Sequence, residues 1–199
     1  MRAIFLALAT FFMVQPLFAQ DVTPRVLISK LAAPWEITWG PDDKLWVTER
    51  VGAQILRVNP DTGDVAVAAK IDDVMVPGWQ DGLLGLAVHP DLLKGTPYVF
   101  AAYTYADATR APDPTVKKAD DPYARLYTRI VRFTFDPASG QLLDQKTLLE
   151  GLPAGADHNA GRLKLGQDGM LYYTIGDMGN NQLANWCLPT EAQRLPTAA

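Results

Sequence analysis

One cysteine, Cys187, stands in the 199 residues, so no disulfide can form within the chain and the fold must hold by packing alone. Nothing around Cys187 depresses a thiol pKa, which makes it an unreactive thiol rather than a nucleophile. Histidine is almost as scarce. His89 and His158 are the two present, and neither has the spacing to a second ligand that a zinc site needs. A basic excess is missing as well, since 18 Lys and Arg face 22 Asp and Glu. With no basic stripe, nucleic acid is excluded as a partner. No apolar run reaches the roughly 20 residues of a membrane span. The longest, Ala3 to Val14, follows Met1-Arg2 and precedes Leu17-Phe18-Ala19-Gln20. A basic residue, a short apolar core and a small residue at the end form the layout of a secretory signal peptide over residues 1–20. Its removal takes only Arg2 and leaves 17 basic against 22 acidic side chains. Export of a chain without disulfides points to a bacterial periplasm, with no membrane span after cleavage.

Helix signals are scarce too, and what fills the chain is alternation. Arg25 to Ile28 reads as a lead-in strand. Trp35–Trp39, Lys44–Glu49, Gln54–Asn59 and Asp64–Ala69 follow as four short strands, broken by Gly40-Pro41-Asp42-Asp43 and Pro60-Asp61-Thr62-Gly63. The pattern recurs in Leu83–Val88, Tyr98–Thr104, Tyr127–Phe135 and Lys146–Leu149. A third unit opens with Arg162–Leu165, turns at Gly166-Gln167-Asp168-Gly169 and continues through Met170–Ile175. Gly40 to Thr48 and Gly166 to Thr174 echo one another. Four-stranded sheets in series predict an all-β chain with the architecture of a partial β-propeller, about two and a half blades. A β-sandwich is the competing architecture. Trp35, Trp39 and Trp46 are expected to pack inside blades. The Pro- and Asp-rich connection from Ala106 to Leu126 is expected to be a mobile, solvated loop. A propeller closes with four to eight blades, so residues 21–199 are expected to form the N-terminal part of a longer domain, without turnover by themselves.

The chemistry-bearing stretch is Leu152 to Leu163, with Asp157-His158 in a polar loop just before an alternating segment. An imidazole, with an unperturbed pKa of roughly 6.5, can exchange a proton near neutral pH, and a neighbouring carboxylate commonly fixes its orientation. On these residues alone, a loop histidine without a task is the more ordinary reading. His89, in the turn His89-Pro90-Asp91, is read as structural, and Asp177 as either a turn residue or a functional one.

Three stretches together resemble the soluble, pyrroloquinoline-quinone (PQQ)-dependent glucose or aldose sugar dehydrogenases of the glucose/sorbosone dehydrogenase family. They are Gln80 to Asp91, Asp157 to Leu163 and Tyr172 to Leu183, in matching order and spacing, within a resemblance that covers Val26 to Thr197. The first is shared across the family; the other two are specific to the soluble glucose dehydrogenase branch. The resemblance implies a periplasmic six-bladed propeller with PQQ and calcium near the channel mouth, an aldose substrate, an external electron acceptor and pairing into homodimers. It implies His158 as the general base and Asp177 as its carboxylate partner. Gln80, Asp157, Gln182 and Leu183 are implied as sugar contacts. The groups holding the quinone and the calcium are expected on blades that follow, with no metal ligand in this chain. Two other functions share the architecture: a calcium-dependent propeller lactonase, and a non-catalytic propeller that binds a partner or glycan.

Overall fold

A computed structural model describes residues 23–113, 116, 118 and 120–177. These form ten strands and, among the described residues, no helix. The first sheet holds β1 (Pro34–Trp39), β2 (Leu45–Glu49), β3 (Gln54–Val58) and β4 (Val65–Lys70), each antiparallel to the next. The second repeats that order with β5 (Leu83–Val88), β6 (Tyr98–Ala106), β7 (Leu126–Asp136) and β8 (Gln141–Pro153). A third sheet begins with β9 (Leu163–Leu165) and β10 (Leu171–Tyr173). The first strands of successive sheets are neighbours, β1 with β5 and β5 with β9, while the last strands β4 and β8 also meet. Separate sheets set side by side with their first strands adjacent are blades, so the chain is all-β with a partial propeller architecture, and the sandwich alternative falls.

The core lies between blades. Trp46 and Ile55 of the first sheet meet Leu83, Leu86, Val99, Tyr103 and Phe133 of the second, all buried. Trp46 sets its ring edge-on to Phe135, centroids 5.5 Å apart. The far face of the second sheet buries Ala87, Phe100 and Ile130 against Leu163, with Leu165 and Tyr173 closing the cluster. The strands of the second sheet thus supply residues to two interfaces, one on each face, as the twofold side-chain period allows.

Three expectations need correction. The lead-in Arg25–Ile28 joins no sheet. Instead Leu27, Ile28 and Leu31 lay their side chains over Val47, Leu56 and Val58, and Arg25 donates to the carbonyls of Pro60 and Asp61. The segment covers an apolar face rather than extending an edge. Trp39 is not packed inside a blade but exposed, at 57%. The described part of the connection between β6 and β7 is tied down. Asp107 N donates to Arg125 O, Arg125 Nε to Arg110 O, Tyr127 Oη to Ala111 O and Tyr123 Oη to Asp81 Oδ2, and Ala124 is buried. The signal segment, Cys187, Gln182 and Leu183 lie outside the described residues.

Candidate active site

Strictly antiparallel order sends every second connection to the same end of the sheets. The connections 50–53, 71–82, 107–125 and 154–162, and the residues after β10, therefore share one end. Their hydrogen bonds confirm it: Leu83 N donates to Arg50 O, Arg50 Nη1 to Asp81 O, and Gln80 N to Ala156 O. Residues far apart in sequence converge there.

The loop of His158 is held in an uncommon backbone. His158 and Ala160 have φ of 52° and 51°, the left-handed region that non-glycine residues rarely enter. Several contacts keep it there. His158 N donates to Gln80 Oε1 at 3.1 Å and to Asp157 Oδ1 at 2.9 Å. Trp35 Nε1 donates to Ala160 O at 3.0 Å. Gly161 N donates to Thr174 O and Thr174 N to Arg162 O, prolonging the β9–β10 pairing so that residues 174–177 run beside the loop. Two close approaches require glycine. A Cβ at Gly85 would overlap the Gly161 carbonyl, and one at Gly176 would overlap the carbonyl of His158.

This pairing delivers Asp177 to the imidazole, with His158 Nδ1 donating to Asp177 Oδ1 at 2.6 Å. A carboxylate only accepts, so the neutral ring carries its proton on Nδ1 and keeps the Nε2 lone pair as base. Asp157 Oδ2 lies 3.8 Å from Nε2. The Asp177 hydrogen bond, helped by the charges of Asp157 and Asp177 and opposed by partial desolvation, raises the His158 pKa above its ordinary value. About a third of the His158 side chain and a quarter of each carboxylate stay exposed, so the pair is braced yet open to a small molecule.

Of the sequence-expected site residues, the structure gathers Gln80, Asp157, His158 and Asp177. Gln182 and Leu183 fall outside the described residues. His89 is engaged in its own turn, its Nδ1 accepting from Asp91 N. Three participants were given no role in the site from sequence. Buried Asp81 accepts from Gly78 N, Trp79 N and Tyr123 Oη, which fixes the turn carrying Gln80. Trp35, assigned to packing, anchors Ala160 instead. Buried Asn159 bridges the Gln80 turn and Gly155. Only its place beside His158 could have marked it. Among the described residues no group of three or more His, Cys, Asp or Glu could hold a metal ion.

A family model described as glucose/sorbosone dehydrogenase matches residues 31–196. Quinoprotein glucose dehydrogenase B of Acinetobacter calcoaceticus is 39% identical over 180 residues, covering 90% of this chain and 36% of that protein. Among solved structures, the PQQ-bound aldose sugar dehydrogenase of Streptomyces coelicolor is 31% identical with a TM-score of 0.60, covering 78% of this chain and 41% of that one. The soluble aldose sugar dehydrogenase of Escherichia coli, in its apo form, is 22% identical with a TM-score of 0.59 over 77% of this chain and 40% of that one, a likeness of fold. The chain spans about a third of the length of the curated relatives it matches.

Proposed function

The chain belongs to the glucose/sorbosone dehydrogenase family, and from that premise we propose that it supplies the proton-accepting half of a site that oxidises aldose sugars to lactones with PQQ. The single observation that carries this reading is the His158–Asp177 contact at the end of the blades where Gln80 and Asp157 also converge.

Oxidising an anomeric C–H and O–H to a carbonyl removes a hydride from carbon and a proton from oxygen. PQQ, when bound, supplies the two-electron acceptor for the hydride. This chain's residues serve the proton. His158 Nε2 takes it from the anomeric hydroxyl, and Asp177 steadies the imidazolium through Nδ1–H. Asp157 beside Nε2, and the amide group of Gln80, hold sugar hydroxyls so that the anomeric oxygen stays within reach. An open imidazole–carboxylate pair suits the sugar side of the quinone. The described residues form no cation-binding cluster, so no step is assigned to calcium, whose ligands are proposed outside the described residues.

The same proposal places the protein in the periplasm after cleavage of residues 1–20, with an external electron acceptor and pairing into homodimers. No helix of the described residues is long and apolar enough to cross a membrane. Gln182 and Leu183 complete the sugar pocket in this reading. The test is dye-linked aldose oxidation by the full reading frame loaded with PQQ and calcium. His158→Ala is expected to lower kcat by about 10²- to 10⁴-fold, the usual contribution of a positioned base. Unchanged dye reduction in that variant removes His158 from the role.

A further inference from the structure

Asn159 has no exposed surface, and the hydrogen bonds of its side chain all go to backbone groups. Nδ2 donates to Gln80 O at 3.0 Å and to Gly155 O at 2.7 Å, while Oδ1 accepts from Gly155 N at 2.9 Å. Both amide protons and the carbonyl oxygen are engaged, so the group is fully satisfied and tolerates neither a lost donor nor an added charge. Its partners belong to the two segments that carry the sugar contact and the base. Gln80 closes the circuit, since its Oε1 accepts from His158 N and its own N donates to Ala156 O. The chain therefore runs from the Asn159 amide to the Gln80 backbone, through the Gln80 side chain to the His158 backbone, and back to Asn159. His158, at φ 52°, relaxes toward ordinary dihedrals unless such contacts hold it.

We infer that Asn159 is a positioning residue of this site, whose buried amide sets the backbone of His158 for its contact with Asp177 and seats Gln80 in the same stroke. A structural amide elsewhere in a core would fix one loop; this one joins two segments whose residues meet at the base. The inference rests on the proposed role of His158 for its meaning, although its geometry can be tested without any turnover.

The experiment follows the imidazole Cε1–H resonances of the full reading frame by NMR across pH, without quinone. The His158 resonance is assigned by its loss in His158→Ala. Wild-type His158 is expected to titrate above its ordinary value, because the Asp177 hydrogen bond favours the imidazolium. In Asn159→Ala its midpoint is expected to fall toward that value. In the quinone-loaded enzyme kcat is expected to fall about 10²-fold with a smaller change in KM, as for a base moved by about an ångström. A variant that melts earlier but keeps the His158 midpoint and kcat overturns the inference and leaves Asn159 a structural amide. Should Asn159→Ala fail to fold, Asn159→Ser decides by the same titration, since it adds no charge and its one hydroxyl proton cannot serve the carbonyls of both Gln80 and Gly155. A wild-type protein without sugar oxidation sinks the proposed function yet leaves this titration able to decide.

Discussion

The backbone N–H of His158 donates to Gln80 Oε1 across 3.1 Å, joining positions 78 residues apart. Gln80 thereby spends its carbonyl oxygen on the loop, which leaves its NH₂ as the group proposed to meet a substrate hydroxyl. Gln80→Glu keeps the acceptor for His158 and removes the donor. Its expected result is a KM for aldose raised about tenfold with kcat little changed, the worth of one lost hydrogen bond. Gln80→Ala removes both and lowers kcat as well. Steady-state kinetics of the two variants separate the roles, and an unchanged KM in both places Gln80 outside the sugar site.

The pH profile carries a definite sign. A protonated imidazole cannot accept the sugar proton, and the Asp177 hydrogen bond favours the protonated form. Activity therefore rises with pH through a midpoint above about 6.5. Asp177→Asn removes the charge and moves that midpoint down while lowering the plateau, because the imidazolium loses its partner. On stability the same raised pKa acts in the opposite sense: its contribution is fully present below about 6.5 and is lost as pH rises through the folded-state value. A profile whose midpoint stays in place in Asp177→Asn would detach the carboxylate from the base.

Alternation and turn residues made most strands legible. β1 to β7, β9 and β10 fall within two residues of the segments that the Gly, Pro and Asp punctuation brackets. β8 was read short, as Lys146–Leu149, because register shifts and a left-handed Asp144 break its alternation while pairing with β7 continues from Gln141 to Pro153. Arg25–Ile28 alternates like a strand yet pairs with none; periodicity reports an apolar face, not what covers it. The meeting of His158 with Asp177 came from the family likeness, since Gly176-Asp177 alone also reads as a turn. Asn159, Asp81 and Tyr123 were illegible because their partners are brought to them by the fold.

Gly176 gives a test of how tightly the loop is seated. Any Cβ there would press on the carbonyl and Cβ of His158, so either the loop or the chain after β10 must move. Gly176→Ala is expected to lower kcat about 10²-fold through misplacement of the base. The His158 titration should move down with it as the contact to Asp177 lengthens. A variant with wild-type kcat would mean that the loop adapts to the methyl group without disturbing the imidazole.

The echo between the first and third units has a physical basis that predicts unequal energies. In both, glycine N–H closes the turn, Gly40 N to Lys44 O and Gly166 N to Met170 O at 2.8 Å. In both, the aspartate two residues on accepts from an aromatic side chain four residues later, Trp46 Nε1 to Asp42 and Tyr172 Oη to Asp168. Surroundings then set the two apart. The Asp42 side chain is 5% exposed and also takes two hydrogen bonds from Arg57, whose guanidinium lies over both Trp46 and Phe135. Asp42→Ala strands that cation and a buried indole N–H, an expected loss of about 3–5 kcal/mol. Trp46→Ala, emptying a fully buried site, costs about the same. Asp168 faces an exposed Tyr172 (54%), so Asp168→Ala is expected to cost no more than about 0.5 kcal/mol. Chemical denaturation of the three variants measures the contrast. Equal losses at Asp42 and Asp168 would mean that the turn motif itself, rather than the interface between the first two blades, sets its worth.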